Sequence, residues 1–246
     1  MSDPLLSVAD LRKSFGALLV VDDVSFSVDG GEVLGVMGPN GAGKTTMLNV
    51  ISGAVPSDSG RIALAGQDVT RRGVVGRCRR GIGRTHQVPR PFERMSVYEN
   101  VLVGAVNGAH TAGWRHRVQY RLAQDSIERA QLTSKANRLA GSLPLLDRKR
   151  LELARALATA PRVLLLDEIA GGLTEPEVQE LVALVLALRA SGIAIVWIEH
   201  VVHALLASVD RLMALNYGRV IADGNPQTVM ASQELQDAYL GAVAAG

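Results

Sequence analysis

The stretch "GPNGAGKTT", residues 38–46, has the residue types and spacing of a phosphate-binding turn. It fits G-x-x-x-x-G-K-[ST] from Gly38 through Thr45, with an apolar run before it and a helical pattern after it. The glycines let backbone N–H groups curl around phosphate oxygens, and the start of the following helix adds positive potential. Lys44 is expected to reach β and γ phosphates, and Thr45 to offer its hydroxyl to Mg²⁺. Gly38, Pro39, Asn40, Gly41, Ala42, Gly43, Lys44, Thr45 and Thr46 form the candidate nucleotide-binding set. An ordinary glycine-rich turn is the alternative, and the joint match of spacing and context disfavours it. Such chemistry also needs a carboxylate at the end of a neighbouring buried strand, and "VLLLDE" (163–168) supplies two. Asp167 is placed to hold Mg²⁺, directly or through water. Glu168 is placed to orient and deprotonate an attacking water. An Asp-Glu pair after a strand can also be a plain solvated loop start.

These residues need a scaffold, and the apolar pattern outlines one. "EVLGVMG" (32–38) reads as a buried strand entering the turn, and "KTTMLNVIS" (44–52) as a helix leaving it. "VLLLDE" and "IAIVWIEH" (193–200) are continuous apolar runs, as in strands covered on both faces of a parallel sheet. Between them, "EPEVQELVALVLALRAS" (175–191) puts Val178, Leu181, Val182, Val185 and Leu188 at helical spacing, with Gly192 as a stop. This order predicts a right-handed parallel crossover. The first thirty residues and "RIALAGQDV" (61–69) predict an antiparallel β portion. Residues 90–160 read as a mostly helical subdomain inserted into a core of 1–89 and 161–246, with a polar, less regular stretch at 107–126. In "LELARAL" (151–157), Leu151, Leu153, Ala154 and Leu157 form an apolar stripe, leaving Arg148, Lys149, Arg150 and Glu152 mostly outside. The end of the chain predicts one or two short helices. The fold class is α/β, with a mostly parallel sheet core, an antiparallel β portion and an inserted helical subdomain.

A chain of 246 residues with 48% apolar content can bury a sizeable core. Its 26 basic and 24 acidic residues nearly cancel, which gives no case for nucleic acid as a partner. The single cysteine, Cys78, excludes an internal disulfide and fits a reducing compartment. The start, "MSDPLLSVADLRKSFG", lacks a basic segment followed by an apolar core, so no signal peptide is expected. No apolar run approaches the ~20 residues that span a bilayer. A cytosolic protein, docked to something else, is the expectation.

Taken together these residues resemble the ATP-binding subunit of an ABC transporter, a P-loop NTPase, over almost the whole chain. In "LRKSFG" (11–16), Phe15 is similar to the aromatic that stacks on adenine. Gln87 in "RTHQVPRPFERMSVYENVL" resembles the glutamine that contacts Mg²⁺ or water and senses the membrane subunit. His200 in "WIEH" resembles the switch histidine at the γ-phosphate. Singly, each has a bland alternative: Phe15 in the core, Gln87 on a surface loop, His200 as a cap. "RTHQVPRPFERMSVYENVLVGA", the helical insert and "GNPQTVMASQELQDAYLG" resemble subunits of branched-chain amino-acid and related amide importers. The resemblance implies ATP and Mg²⁺, a second ATPase subunit and two membrane-spanning permease subunits. A periplasmic solute-binding protein acts indirectly, and the chain is peripheral on the cytoplasmic face of the inner membrane. It implies a hydrolysing motor; the alternative is a nucleotide-binding regulatory subunit with little hydrolysis. A soluble ABC protein acting on ribosomes or DNA fits the near-neutral charge and the importer-like insert less well.

The alternative arises from one departure. The family's Leu-Ser-Gly-Gly-Gln signature acts in trans over the γ-phosphate held by a partner. Its positions fall on Leu143, Pro144, Leu145, Leu146 and Asp147, and only the first matches. Pro144 has neither hydroxyl nor N–H, the leucines block close backbone approach, and Asp147 is expected to bring negative charge near a triphosphate or to cap the helix. Ser142 is a weak substitute for the missing hydroxyl. Ile169 replaces the usual proline, and Thr174 the usual D-loop aspartate or asparagine, keeping a hydrogen-bonding group for a dimer interface. A heterodimer is therefore favoured, in which a partner with an intact signature completes the site on Lys44, Asp167 and Glu168. Arg71, Arg72, Arg77, Arg79, Arg80 and Arg84 read as a solvated basic face, or as a contact with membrane-subunit loops or anionic headgroups. Arg90, Pro91 and Phe92 are expected to help line a groove for a coupling helix, and Trp114, Arg115 and Arg117 to form a contact in the insert or pack in its core.

Overall fold

The computed structural model describes residues 3–108 and 116–244. Near the N-terminus, strand β1 (Leu6–Phe15) pairs antiparallel with β2 (Leu18–Val28), whose buried Val24, Phe26 and Val28 alternate with exposed Asp23, Ser25 and Ser27. This period of two packs one face inward and wets the other. β4 (Ser59–Leu64) pairs with the other side of β1, and the short β5 (Gln67–Asp68) completes a sheet of order β2-β1-β4-β5.

The second sheet has six strands, in the order β10-β9-β3-β8-β7-β6. β3 (Val33–Met37), β7 (Val163–Asp167) and β8 (Ala194–Ile198) are buried at every position, as their unbroken apolar runs require. β6 (Ile82–Arg84) and β9 (Arg211–Asn216) extend the parallel ladder on either side, and β10 (Arg219–Gly224) closes one edge antiparallel to β9. The α/β class read from the sequence is the observed one.

Helix α1 (Lys44–Ser52) lies between the sheets: Met47 and Ile51 share a core with Val8 and Val24 on one side and Val36 and Val196 on the other. Helix α6 (Glu175–Ala190) covers the opposite face of the parallel sheet, where Leu181, Val185 and Leu188 meet Leu164, Leu166 and Trp197. Ile169, which follows Glu168 and replaces the usual proline, is buried in this same core. Strands β7 and β8, joined through α6, pair parallel and adjacent. Short helices α2 (Val74–Cys78), α7 (Val202–Leu206) and α8 (Pro226–Met230), and the terminal α9 (Gln233–Ala244), complete this portion.

Between β6 and β7 come α3 (Val97–Asn107), α4 (His116–Arg129) and α5 (Leu145–Leu157), with a third core around Val101, Ile127 and Leu151. Ser96 and Glu99 form a capping box that fixes the start of α3. Residues 116–126, expected to be less regular, belong to the helix α4. Arg117 is exposed on α4, whereas Trp114 and Arg115 lie outside the described residues.

Helix α5 corrects the amphipathic expectation. Leu151 and Ala154 pack into the helical core, while Leu153, Ala156 and Leu157 pack into the core under the parallel sheet. Lys149, Arg150 and Glu152, expected mostly outside, are therefore buried. Two of them find side-chain partners: Arg150 donates to Gln131 at 2.9 Å and Glu180 at 2.6 Å, and Glu152 accepts from Arg155 at 3.0 Å.

The basic cluster is likewise not one solvated face. Arg77 is 1% exposed and donates to the carbonyls of Val50 (2.5 Å) and Ile51 (2.8 Å) at the end of α1, and to Thr70 and Arg72. A guanidinium here satisfies carbonyls that a helix end leaves open. Arg84 also turns inward, toward β7, while Arg71, Arg72 and Arg79 are exposed. Among the described residues, no helix is long and apolar enough to cross a membrane.

Candidate active site

The turn after β3 is shaped by its glycines. Gly38 (φ 149°) and Gly43 (φ 98°) have left-handed backbones, and a Cβ would meet the carbonyl oxygens of Leu215 at 2.0 Å and Val20 at 2.4 Å. No side chain caps α1 at Gly43, so its first-turn N–H groups remain available to a ligand. Lys44 is 5% exposed, and its ammonium donates to the carbonyls of Gly38 (2.7 Å) and Pro39 (2.9 Å). Its charge is thus held over the turn that Pro39, Asn40, Gly41 and Ala42 build, while Thr45 and Thr46 begin the helix. Burial pushes the Lys44 pKa down, and the carboxylates of Glu168 and Asp167 push it back up.

That coupling brings the end of β7 to the turn. One Asp167 oxygen pairs with Arg84 at 2.9 Å, and Arg84 also donates to Asn49 (2.6 Å) and Ser52 (3.1 Å) of α1. The other, Oδ1, is buried and has no hydrogen-bond partner among the described residues. An orphaned carboxylate oxygen beside a phosphate-type turn fits a hydrated Mg²⁺, which takes one or two carboxylates and completes its shell with water and phosphate oxygens.

Glu168 follows with φ 48°, a left-handed backbone that a non-glycine residue adopts at a cost. Its Oε1 meets His200 Nε2 at 2.8 Å, and its Oε2 accepts from Gln87 Nε2. Gln87 and His200, singled out from separate segments, converge on the carboxylate of Glu168. His200 is exposed rather than a buried cap, and Gln87, exposed on its loop, donates to Glu168. Phe15 is 51% exposed, which removes it from the core and leaves its ring open, with the Lys13 ammonium 5.5 Å from its centroid. Nearby, His86, Arg90 and Arg155 line a groove of about 410 Å³ between the parallel sheet and the helices, and burial lowers the His86 pKa.

The signature-position loop is ordered but altered. Leu143 and Leu146 point inward, while Pro144 and Leu145 are exposed. Arg148 donates to the carbonyls of Leu143 and Gly141, both at 2.8 Å. Asp147 does not face outward as a negative charge, nor does it cap α5. It is 2% exposed, pairs with Lys135 and lies 3.8 Å from Arg150, and Pro144 occupies the cap position. The Ser142 hydroxyl donates to Leu139 at 2.8 Å, within its own turn. Thr174 caps α6: its N–H and hydroxyl both donate to Glu177, each at 2.8 Å.

Sequence reasoning missed Arg84 as a partner of Asp167, because an arginine in a basic run carries no mark of which way it turns. It also passed over Glu199, which accepts the N–H groups of Ala170 at 2.8 Å and His200 at 2.9 Å. A charged residue ending the apolar run "IAIVWIEH" was the available signal.

A phosphate turn, a buried aspartate and an adjoining glutamate on a parallel sheet, with an inserted helical segment, define an ATP-binding cassette. Residues 21–171 match the ABC transporter family model, and the chain belongs to that family as an ATP-binding ATPase. It is 36% identical to the high-affinity branched-chain amino acid transport ATP-binding protein BraF of Pseudomonas aeruginosa, covering 98% of this chain and 99% of that one. It is 37% identical to the corresponding protein LivG of Escherichia coli K12, over the same shares. Among solved structures, the ADP conformation of MJ1267, an ATP-binding cassette of an ABC transporter, superposes with a TM-score of 0.89 at 30% identity, covering 98% of this chain and 100% of that one.

Proposed function

We propose that this chain is the ATP-hydrolysing motor subunit of a bacterial importer for branched-chain amino acids or related amides. The observation that carries this reading is the convergence of Gln87 and His200 on the Glu168 carboxylate, beside the Lys44 turn. The backbone N–H groups of the turn and the Lys44 ammonium hold the phosphates, and Phe15 offers a face for the adenine. Thr45, Asp167 and Gln87 are the residues that would hold Mg²⁺, which would supply positive charge to neutralise the phosphates. Glu168 orients water and takes its proton, and His200 holds the Glu168 carboxylate and reaches for the γ-phosphate.

Residues 1–89 and 161–246 act as the core and 90–160 as a helical subdomain. Gln87 lies at their junction and transmits movement toward the membrane subunits. The partners are a second ATPase subunit, two membrane-spanning permease subunits and, indirectly, a periplasmic binding protein, with this chain peripheral on the cytoplasmic face. Pro144 and Leu145 still deny a partner the hydroxyl and close backbone of the usual signature, which favours a heterodimer. The regulatory alternative finds no support in the relatives, which are named as ATP-binding proteins of transport. ATPase assays on this chain alone and mixed with the second ATPase subunit test the reading. Turnover that rises well above either subunit alone is expected. A mixture no more active than this chain by itself contradicts the heterodimer.

A further inference from the structure

Glu168 combines an unfavourable backbone with a carboxylate that must point to one place. Two contacts hold its backbone, and a further set holds the backbone of the residues around it and His200. Its N–H donates to the carbonyl of Ile198 at 2.9 Å. Its carbonyl lies 3.4 Å from the Lys149 ammonium. The N–H of Ala170, two residues on, donates to Glu199 Oε2 at 2.8 Å, and Glu199 Oε1 takes the N–H groups of His200 (2.9 Å) and Val201 (3.4 Å).

Lys149 and Glu199 are 5% and 3% exposed. Burying either charge is costly unless it is compensated. Here the compensation is local: backbone groups meet both side chains, and negative charge lies near the Lys149 ammonium. Burial lowers the Lys149 pKa, and Glu199 and then Glu168 oppose it. Lys149 donates to the carbonyl of Glu168, and Glu199 accepts from the N–H groups of Ala170, His200 and Val201. The family signature and the phosphate turn contain neither residue.

We propose that Lys149 and Glu199 are positioning residues for hydrolysis. Together they hold residues 168–170 and 199–201 so that Glu168 stays left-handed and its carboxylate stays between Gln87 and His200. The kinetic part rests on the proposed role of Glu168 as base. Lys149 stands on α5, whose cap and first turn are the Pro144–Asp147 segment. One ammonium therefore ties the helix that carries the signature positions to the glutamate of this chain's own site.

The test compares Lys149→Met, Lys149→Arg and Glu199→Gln. In the assembled transporter, Lys149→Met is expected to lower kcat by about tenfold or more while KM for ATP moves less than about threefold, and Lys149→Arg to recover most of the loss. Independently of turnover, amide hydrogen exchange on the full chain is expected to quicken at Glu168 and Ala170 by about tenfold in Lys149→Met and Glu199→Gln, with β7 and β8 unchanged. Unchanged exchange at those amides overturns the proposal. So does protection lost throughout α5 and β7 with no rescue by arginine, the mark of a merely structural role. If Glu168→Gln itself turns over normally while the local exchange changes as expected, the base assignment fails and the backbone-positioning role stands.

Discussion

At the residue scale, burial lowers the Lys44 pKa, and the carboxylates of Glu168 and Asp167 oppose that shift. Phosphate groups at the turn add negative charge on the same side. Lys44→Ala is expected to weaken ATP binding roughly 10- to 100-fold, the worth of one charge-assisted contact, as measured by calorimetric titration. Arg84 makes a different prediction. It neutralises one oxygen of Asp167 from a site 12% exposed and ties β7 to α1. Arg84→Met leaves that carboxylate buried and unpaired, and is expected to cost about 3–5 kcal/mol in denaturant unfolding. Lys44 was legible in the sequence because it lies in a motif of fixed spacing, and Asp167 and Glu168 because they end an unbroken apolar run. Arg84 and Glu199 were not, since their roles come from strands that lie side by side only after folding.

At the scale of elements, the starts of helices carry much of the local order. Thr174 takes up the cap position of α6, and its hydroxyl donates to Glu177. Thr174→Ala is expected to destabilise by ~1 kcal/mol and to lower Tm by roughly 2–4 °C. The box is also pH-dependent. Hydrogen bonds from the backbone and hydroxyl of Thr174 hold the Glu177 pKa below its ordinary value. A depressed carboxylate contributes stability that is complete above its unfolded pKa and is lost as pH falls through the folded one. Thermal melts of wild type and Glu177→Gln should therefore differ at neutral pH and converge in acid below the ordinary glutamate range. The runs of α1 and α6 were legible because each has one apolar stripe and a clear start. The faces of α5 were not, because Leu151 and Leu153 serve two different cores and leave its charges inside.

For the whole molecule, the parallel sheet and its loops bring Lys44, Gln87, Asp167, Glu168 and His200 together from distant segments, and in the proposed dimer the signature that closes over them is the partner's. The inward turn of Asp147 removes one objection to this chain's own signature-position loop, since its charge is paired with Lys135 and Arg150. Pro144 at the cap position and the exposed Leu145 still leave it without the usual donors. The claim at the centre is that this chain's own Glu168 drives turnover once a partner has closed over its phosphate turn. The most direct measurement is steady-state ATP hydrolysis by the assembled transporter carrying Glu168→Gln, with ATP affinity measured on the same sample. Turnover reduced by about 10²-fold or more, with affinity within about threefold of wild type, is the expected result. Hydrolysis at the wild-type rate would remove Glu168 from the role of base and contradict the account.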